Sequence, residues 1–176
     1  MRRVAVIGVT GSGKTTLARA LSDRLDLPHV ELDRLYWRPN WTKSAPDEFR
    51  GRLTEEVQCE RWVVDGNYSL SRDIVWSAAD TLVWLDYELP LIMWRLFRRT
   101  ALRTLRRELL WGINRERFWP QLFESEGLFR WALQTHPRYR REFPTELRRP
   151  AYAHLTVVQL ASPRATNAWL AKLPRS

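Results

Sequence analysis

The chain reads as an α/β domain, a parallel sheet with helices on both faces, and three observations predict it. Five short apolar and β-branched runs, Arg3–Ile7, His29–Leu32, Trp62–Val64, Thr81–Leu85 and Thr156–Leu160, are spread over 176 residues. Stretches with helical apolar spacing lie between them, and strands alternating with helices build βαβ units. The turn joining the first strand to the first helix is Gly8-Val9-Thr10-Gly11-Ser12-Gly13-Lys14-Thr15, a phosphate-binding loop in its proper strand–loop–helix setting.

Each part of that first unit has a physical reason. Arg3–Ile7 is continuous enough to be a buried strand, and Thr15 to Leu25 puts Leu17, Ala18, Leu21 and Leu25 on one helix face. Glycines let the loop turn sharply and bring backbone N–H groups onto phosphate oxygens. A helix starting near Gly13 points its positive end at the same anion. Lys14 can reach the β- and γ-phosphates, and the Thr15 hydroxyl can ligate Mg²⁺.

Later elements follow the same logic. Leu89 to about Arg107 reads as one long helix entered through Pro90. Phe118 to Phe143 has helical spacing with breaks expected at Pro120, Gly127 and Pro137. Pro163 to Leu173 reads as a closing helix, with Ser162 as N-cap and Pro163 at the first position. There are no repeats and no Gly/Ser-rich linker, so 1–176 reads as a single domain.

Composition narrows the class. With 44% hydrophobic residues the chain is a folded protein rather than a disordered one. Cys59 is the sole cysteine and reads as a helix-face residue; it excludes an internal disulfide. His29, His136 and His154 lack metal-ligand spacing and read as structural or exposed. The first residues enter a strand directly, leaving no room for a signal peptide, and Thr81 to Phe97 is too interrupted by charge to span a bilayer. A cytoplasmic protein is the expectation. The formal charge is +9, and of 29 cationic residues only Lys14, Lys43 and Lys172 are lysines. Arginine forks suit anionic ligands, but a GC-rich coding sequence gives the same bias.

Two acids stand where a parallel sheet places its ligand crevice, at the carboxyl ends of strands. Asp33 follows the second run; it either holds or deprotonates a substrate hydroxyl, or N-caps a short helix. Glu31 shares its strand face, and Tyr36 and Trp37 offer planar stacking surfaces. Asp65 ends the third run before Gly66-Asn67-Tyr68; it either holds Mg²⁺ or belongs to an Asp-Gly turn. Arg95 and Arg99 lie four apart on one helix face, continued by Arg98, Arg103, Arg106 and Arg107. Arg138, Arg140 and Arg141 form a second cluster. Such arginines close over a triphosphate, form a solvated face, or line a nucleic-acid surface.

Taken together, these runs resemble the small P-loop kinases of the adenylate kinase and shikimate kinase type. Within them the chain is most similar to the adenylate-kinase-like group labelled topology modulation proteins. The resemblance is carried by Gly8 to Thr15, Leu32-Asp33-Arg34-Leu35-Tyr36-Trp37-Arg38-Pro39, Asp65-Gly66-Asn67-Tyr68 and Leu160-Ala161-Ser162-Pro163-Arg164. It implies a three-layer α/β/α P-loop NTPase fold with sheet order 2-3-1-4-5. It also implies a substrate-binding segment at about 33–60 and a helical lid at about 95–143. ATP would sit on Gly8, Gly11, Ser12, Gly13, Lys14, Thr15 and Thr16, with Mg²⁺ on Thr15 and Asp65. Arg95 and Arg99 match the Arg-x-x-x-Arg opening of an adenylate kinase lid, and Ser162-Pro163-Arg164 the loop bordering the adenine. The match breaks at Ser69, where adenylate kinases carry the arginine that grips a substrate phosphate; the next arginine is Arg72. Asp33 takes the place of the shikimate-type residue that holds a hydroxyl, and an acid there repels a monophosphate. The expected activity is thus an ATP- and Mg²⁺-dependent kinase acting on a small hydroxyl-bearing molecule rather than on a nucleotide. The alternative is a nucleotide-dependent nucleic-acid-binding protein affecting DNA topology.

Overall fold

The computed structural model describes residues 1–105, 109–110, 114–115 and 127–174. Five parallel strands form its main sheet: β1 (Arg3–Gly8), β2 (His29–Glu31), β3 (Trp62–Asp65), β4 (Thr81–Leu85) and β5 (Thr156–Leu160). Their order is β2-β3-β1-β4-β5, as the resemblance implied. The inner strands are apolar without alternation because helices cover both faces; β3 and β4 are buried at every position. At the edge, β5 alternates less cleanly and leaves Val157 exposed.

Seven helices complete the described chain: α1 (Lys14–Leu25), α2 (Leu32–Tyr36), α3 (Pro46–Glu56), α4 (Arg72–Ala78), α5 (Leu89–Leu105), α6 (Leu128–Leu147) and α7 (Pro163–Ala171). Leu17, Ala18, Leu21 and Leu25 face the core from α1, as their spacing predicted. Ser162 caps α7, its Oγ accepting from the Ala165 amide at 3.2 Å. Gly127 is the N-cap of α6, but the break expected at Pro137 is absent: α6 runs through both Pro137 and Pro144. Burial of Ala132, Thr135, His136, Tyr139 and Phe143 along one face outweighs the lost backbone hydrogen bonds. Phe143 packs edge-on against Trp76 and Trp84, 5.9 Å and 5.4 Å between centroids. Pro120, Arg106 and Arg107 lie outside the described residues. Cys59 stands exposed beyond the end of α3, not on a helix face.

Several ties fix the frame around the crevice. Arg24, in the last turn of α1, donates from Nε to the Leu173 carbonyl at 2.9 Å and from Nη2 to that of Ala171 at 3.0 Å. Arg72 is engaged within the fold: its guanidinium bonds Glu146 at 2.6 Å and lies over the rings of Trp76, Tyr139 and Phe143. Between α2 and α3 the chain reverses through Pro39–Trp41, with Trp37 bridged antiparallel to Lys43. Asn40 and Trp41 both take left-handed φ, 60° and 57°. A two-stranded ribbon, Leu109–Leu110 against Asn114–Arg115, rests on that reversal.

Gly66 controls where β2 hands over to α2. Its φ is +138°, and a Cβ there would lie 2.7 Å from Leu32 Cβ. Leu32 is buried and begins α2, so the close approach sets the position of Asp33 one residue on. Gly66→Ala is expected to lower stability by about 1–3 kcal/mol, the scale of overpacking, read as a lower denaturant midpoint; an unchanged midpoint would refute this packing argument.

Candidate active site

The predicted site residues gather at the carboxyl ends of β1, β2 and β3, the expected place for a ligand in an open parallel sheet. The loop after β1 is shaped by left-handed glycines, and Gly8 admits no side chain: a Cβ would lie 2.8 Å from both the Leu85 carbonyl and Ser12 Oγ. Gly13, at φ 99°, is the N-cap of α1 and no side chain caps that end. First-turn N–H groups of the helix are therefore left to an anion. Ser12 is fully buried, and among the described residues its hydroxyl has no hydrogen-bond partner. Lys14 donates to the Val9 carbonyl at 3.2 Å, folding across the loop. Thr16 is exposed in the first turn of α1.

Asp65 ends β3, in register with Val6 on one side and Glu31 on the other. It is buried; Oδ2 accepts from the Thr15 hydroxyl at 2.6 Å and Oδ1 meets His29 Nε2 at 2.8 Å. A hydroxyl beside a carboxylate is a hard oxygen pair that suits Mg²⁺, which takes one or two protein oxygens and keeps water and phosphate for the rest. The two residues expected to hold the metal are thus brought into contact. His29, expected to be merely structural or exposed, instead holds the far oxygen of that carboxylate. The β2–β3 register does this by placing His29 beside Val63, two residues before Asp65. Spacing along the sequence carried no signal for it.

Asp33 sits in the first turn of α2 rather than at the tip of β2, which stops at Glu31. It is not the N-cap; Glu31 is, and Glu31 is bonded to Arg19 at 2.7 Å instead of assisting Asp33. Asp33 Oδ1 accepts from the Tyr68 phenol at 2.6 Å. The surrounding protein pushes the Asp33 carboxyl above the usual carboxylate range, opposed by Tyr68, by the Lys14 charge and by Arg99, and aided by Asp65. Asp33 remains open to solvent, which moderates that rise. Burial pulls Lys14 below the usual lysine range, with Asp33 and Asp65 pulling the other way. Lys14, Asp33, Asp65 and Arg99 therefore act on one another across a single site.

Of the predicted arginines, Arg95 donates to the Ser12 carbonyl at 3.1 Å and lies 5.2 Å above the Tyr87 ring. Tyr87, which sequence reasoning did not single out, is in turn held by Thr166 and by His136. Arg140 is committed to Asp86 and Glu88 at 2.6 Å and 2.9 Å, and Arg138 to Glu142 at 3.7 Å. Arg98 and Arg141 are exposed, and Arg103 is half-buried. Tyr36 packs against Trp37, Phe49 and Tyr68, forming a wall beside Asp33. Among the described residues no group of three or more His, Cys, Asp or Glu could hold a metal, and no helix is long and apolar enough to cross a membrane.

No family model matches the chain. The uncharacterized protein YqaC of Bacillus subtilis (strain 168) is 28% identical over 134 residues, 72% of this chain and 75% of that one. Among solved structures, shikimate kinase from Bacteroides thetaiotaomicron superposes with a TM-score of 0.56 at 17% identity, covering 97% of this chain and 95% of its own. Shikimate kinase from Acinetobacter baumannii, in complex with shikimate, gives 0.56 at 17%, over 96% and 88%. A gluconokinase from Sinorhizobium meliloti 1021 gives 0.53 at 18%, over 97% and 92%. Sheet order, phosphate loop and these likenesses agree on one architecture: an α/β P-loop NTPase fold.

Proposed function

We propose that this chain is an ATP- and Mg²⁺-dependent kinase that phosphorylates a hydroxyl group of a small molecule. The observation that carries the reading is the Thr15–Asp65 pair beside the phosphate loop, with the charges of Lys14, Asp33 and Arg99 near enough to act on one another. Lys14 and the loop amides hold the triphosphate; Mg²⁺, held by Thr15 and Asp65, supplies charge neutralisation between the phosphates. Asp33 orients the acceptor hydroxyl and takes its proton. Arg99 balances the charge that spreads over the transferring group, while Arg95 braces the loop through Ser12. The surrounding region divides into the acceptor segment at about 33–60 and the lid at about 95–143 of one domain.

An acid at Asp33 and the commitment of Arg72 to Glu146 favour an acceptor hydroxyl over a nucleoside monophosphate. The shikimate kinases and the gluconokinase of the same fold are named for hydroxylated acceptors, which agrees. Placement in the adenylate-kinase-like group named for topology modulation rests on the Asp33-Arg34-Leu35-Tyr36-Trp37 and Asp65-Gly66-Asn67-Tyr68 runs. The test is ATP consumption against a panel of sugars, hydroxy acids, nucleosides and nucleotides. Transfer to a hydroxyl compound is expected; DNA-stimulated ATP hydrolysis without any acceptor would replace this reading with the nucleic-acid one.

Asp65→Asn should keep the fold but raise the Mg²⁺ concentration needed for half-maximal rate, because a neutral amide is a poorer ligand for a hard cation. His29→Ala should move the same midpoint, by less, since outer partners of a ligand typically contribute about 10–100-fold in metal affinity or activity. Titrating activity with Mg²⁺ at saturating ATP reads both; an unmoved midpoint in Asp65→Asn removes its metal role.

A further inference from the structure

We infer that Tyr68 is the positioning residue for Asp33, holding the carboxylate through one oxygen from a ring that the acceptor segment fixes. The inference rests on the kinase reading, but its physical content can be measured without it. Tyr68 Oη is 2.6 Å from Asp33 Oδ1. Its ring is fixed on two sides, 4.4 Å from Tyr36 and 5.5 Å from the fully buried Phe49. An ionised carboxylate can only accept, so the phenol O–H is the donor of this bond. Burial and the Asp33 charge push the phenol far above its usual range, so it keeps its proton and remains a donor.

Two consequences follow. The carboxylate is pinned through Oδ1, so Oδ2 is the oxygen that receives the acceptor proton. Tyr36 and Phe49, which fix the Tyr68 ring, both belong to the acceptor segment, so that segment sets where the phenol meets Asp33.

The test uses Tyr68→Phe, which deletes the hydroxyl and keeps the ring, and 3-fluorotyrosine in place of Tyr68, which keeps the ring and makes the hydroxyl a stronger donor. The Asp33 carboxyl carbon is followed by NMR in ¹³C-Asp-labelled protein, assigned by its loss in Asp33→Asn. Lys14, Asp65 and Arg99 act on Asp33 from α1, β3 and α5 and are untouched in both variants, so the titration reads the Tyr68 hydrogen bond. Tyr68→Phe should raise the Asp33 midpoint, and the fluorinated phenol should lower it. In turnover, Tyr68→Phe should lower kcat roughly ten- to a hundredfold, the scale of a lost hydrogen bond to a charged group. It should also move the acid limb of the pH profile upward and leave ATP binding unchanged. Midpoints that stay at the wild-type value in both variants overturn the inference. A midpoint raised in Tyr68→Phe, while the wild-type chain phosphorylates no acceptor, overturns the kinase reading and leaves the Tyr68–Asp33 inference standing. If Tyr68→Phe does not fold, the fluorinated phenol alone decides, by the same midpoint.

Discussion

Lys14→Ala is expected to reduce phosphoryl transfer by at least roughly 10²–10³-fold, the scale of removing one preorganised group that meets developing charge. The loss should not come from unfolding. Burial holds the Lys14 pKa below its unfolded value, so the charged form weakens the fold at neutral pH. Removing the ammonium relieves that strain, and thermal stability should be unchanged or higher. Lys14→Arg should be nearly as inactive, because a planar fork does not replace a compact charge on a flexible stem. Steady-state rates beside a melting curve check this; full activity in Lys14→Ala would remove the phosphate role.

Asp33→Asn should lower kcat by roughly 10²–10⁴-fold, the range for a positioned general base, while ATP still binds. Asparagine keeps an oxygen for the Tyr68 hydroxyl but cannot take a proton. As a base Asp33 would work only when ionised, and its pKa stands above the usual carboxylate range. Turnover should therefore fall with decreasing pH at a higher pH than an ordinary aspartate would give. Stability carries the opposite sign. A raised carboxyl favours the fold below its unfolded pKa and loses that contribution as pH rises through the folded pKa. At neutral pH the ionised Asp33 is a burden, and Asp33→Asn should melt at the same temperature or higher. Calorimetric ATP binding, pH–rate profiles and melting curves separate these effects. Wild-type turnover in Asp33→Asn would exclude the base role.

Features carried by local spacing were legible in the sequence, and features carried by register were not. The phosphate loop, the apolar strands and the Ser162 cap each depend on neighbours within a few residues, so their pattern survives in one dimension. Asp65 was legible because an apolar run ending in Asp-Gly marks a strand end. Its partner His29 was not, since that contact exists only once β2 lies beside β3. Asp33 was expected at a strand tip and stands instead in the first turn of α2, because the close approach of Gly66 to Leu32 is tertiary. Pro137 misled for a related reason: its local preference is real, and a buried helix face from Ala132 to Phe143 overrides it. Tyr68 carried no local signal either, since its contacts with Tyr36 and Asp33 exist only in the folded chain.

The ties on α1 have a consequence for the order in which the protein acquires its site. The phosphate loop is synthesised before the strands that frame it, since β1 pairs with β3 and β4, which follow some sixty and eighty residues later. Arg24 donates to carbonyls of Ala171 and Leu173, later still. Such distant pairings are slow to form, because loop closure comes before any contact repays it. A nascent chain would carry the complete phosphate motif long before the sheet and the docked α7 could hold it in place.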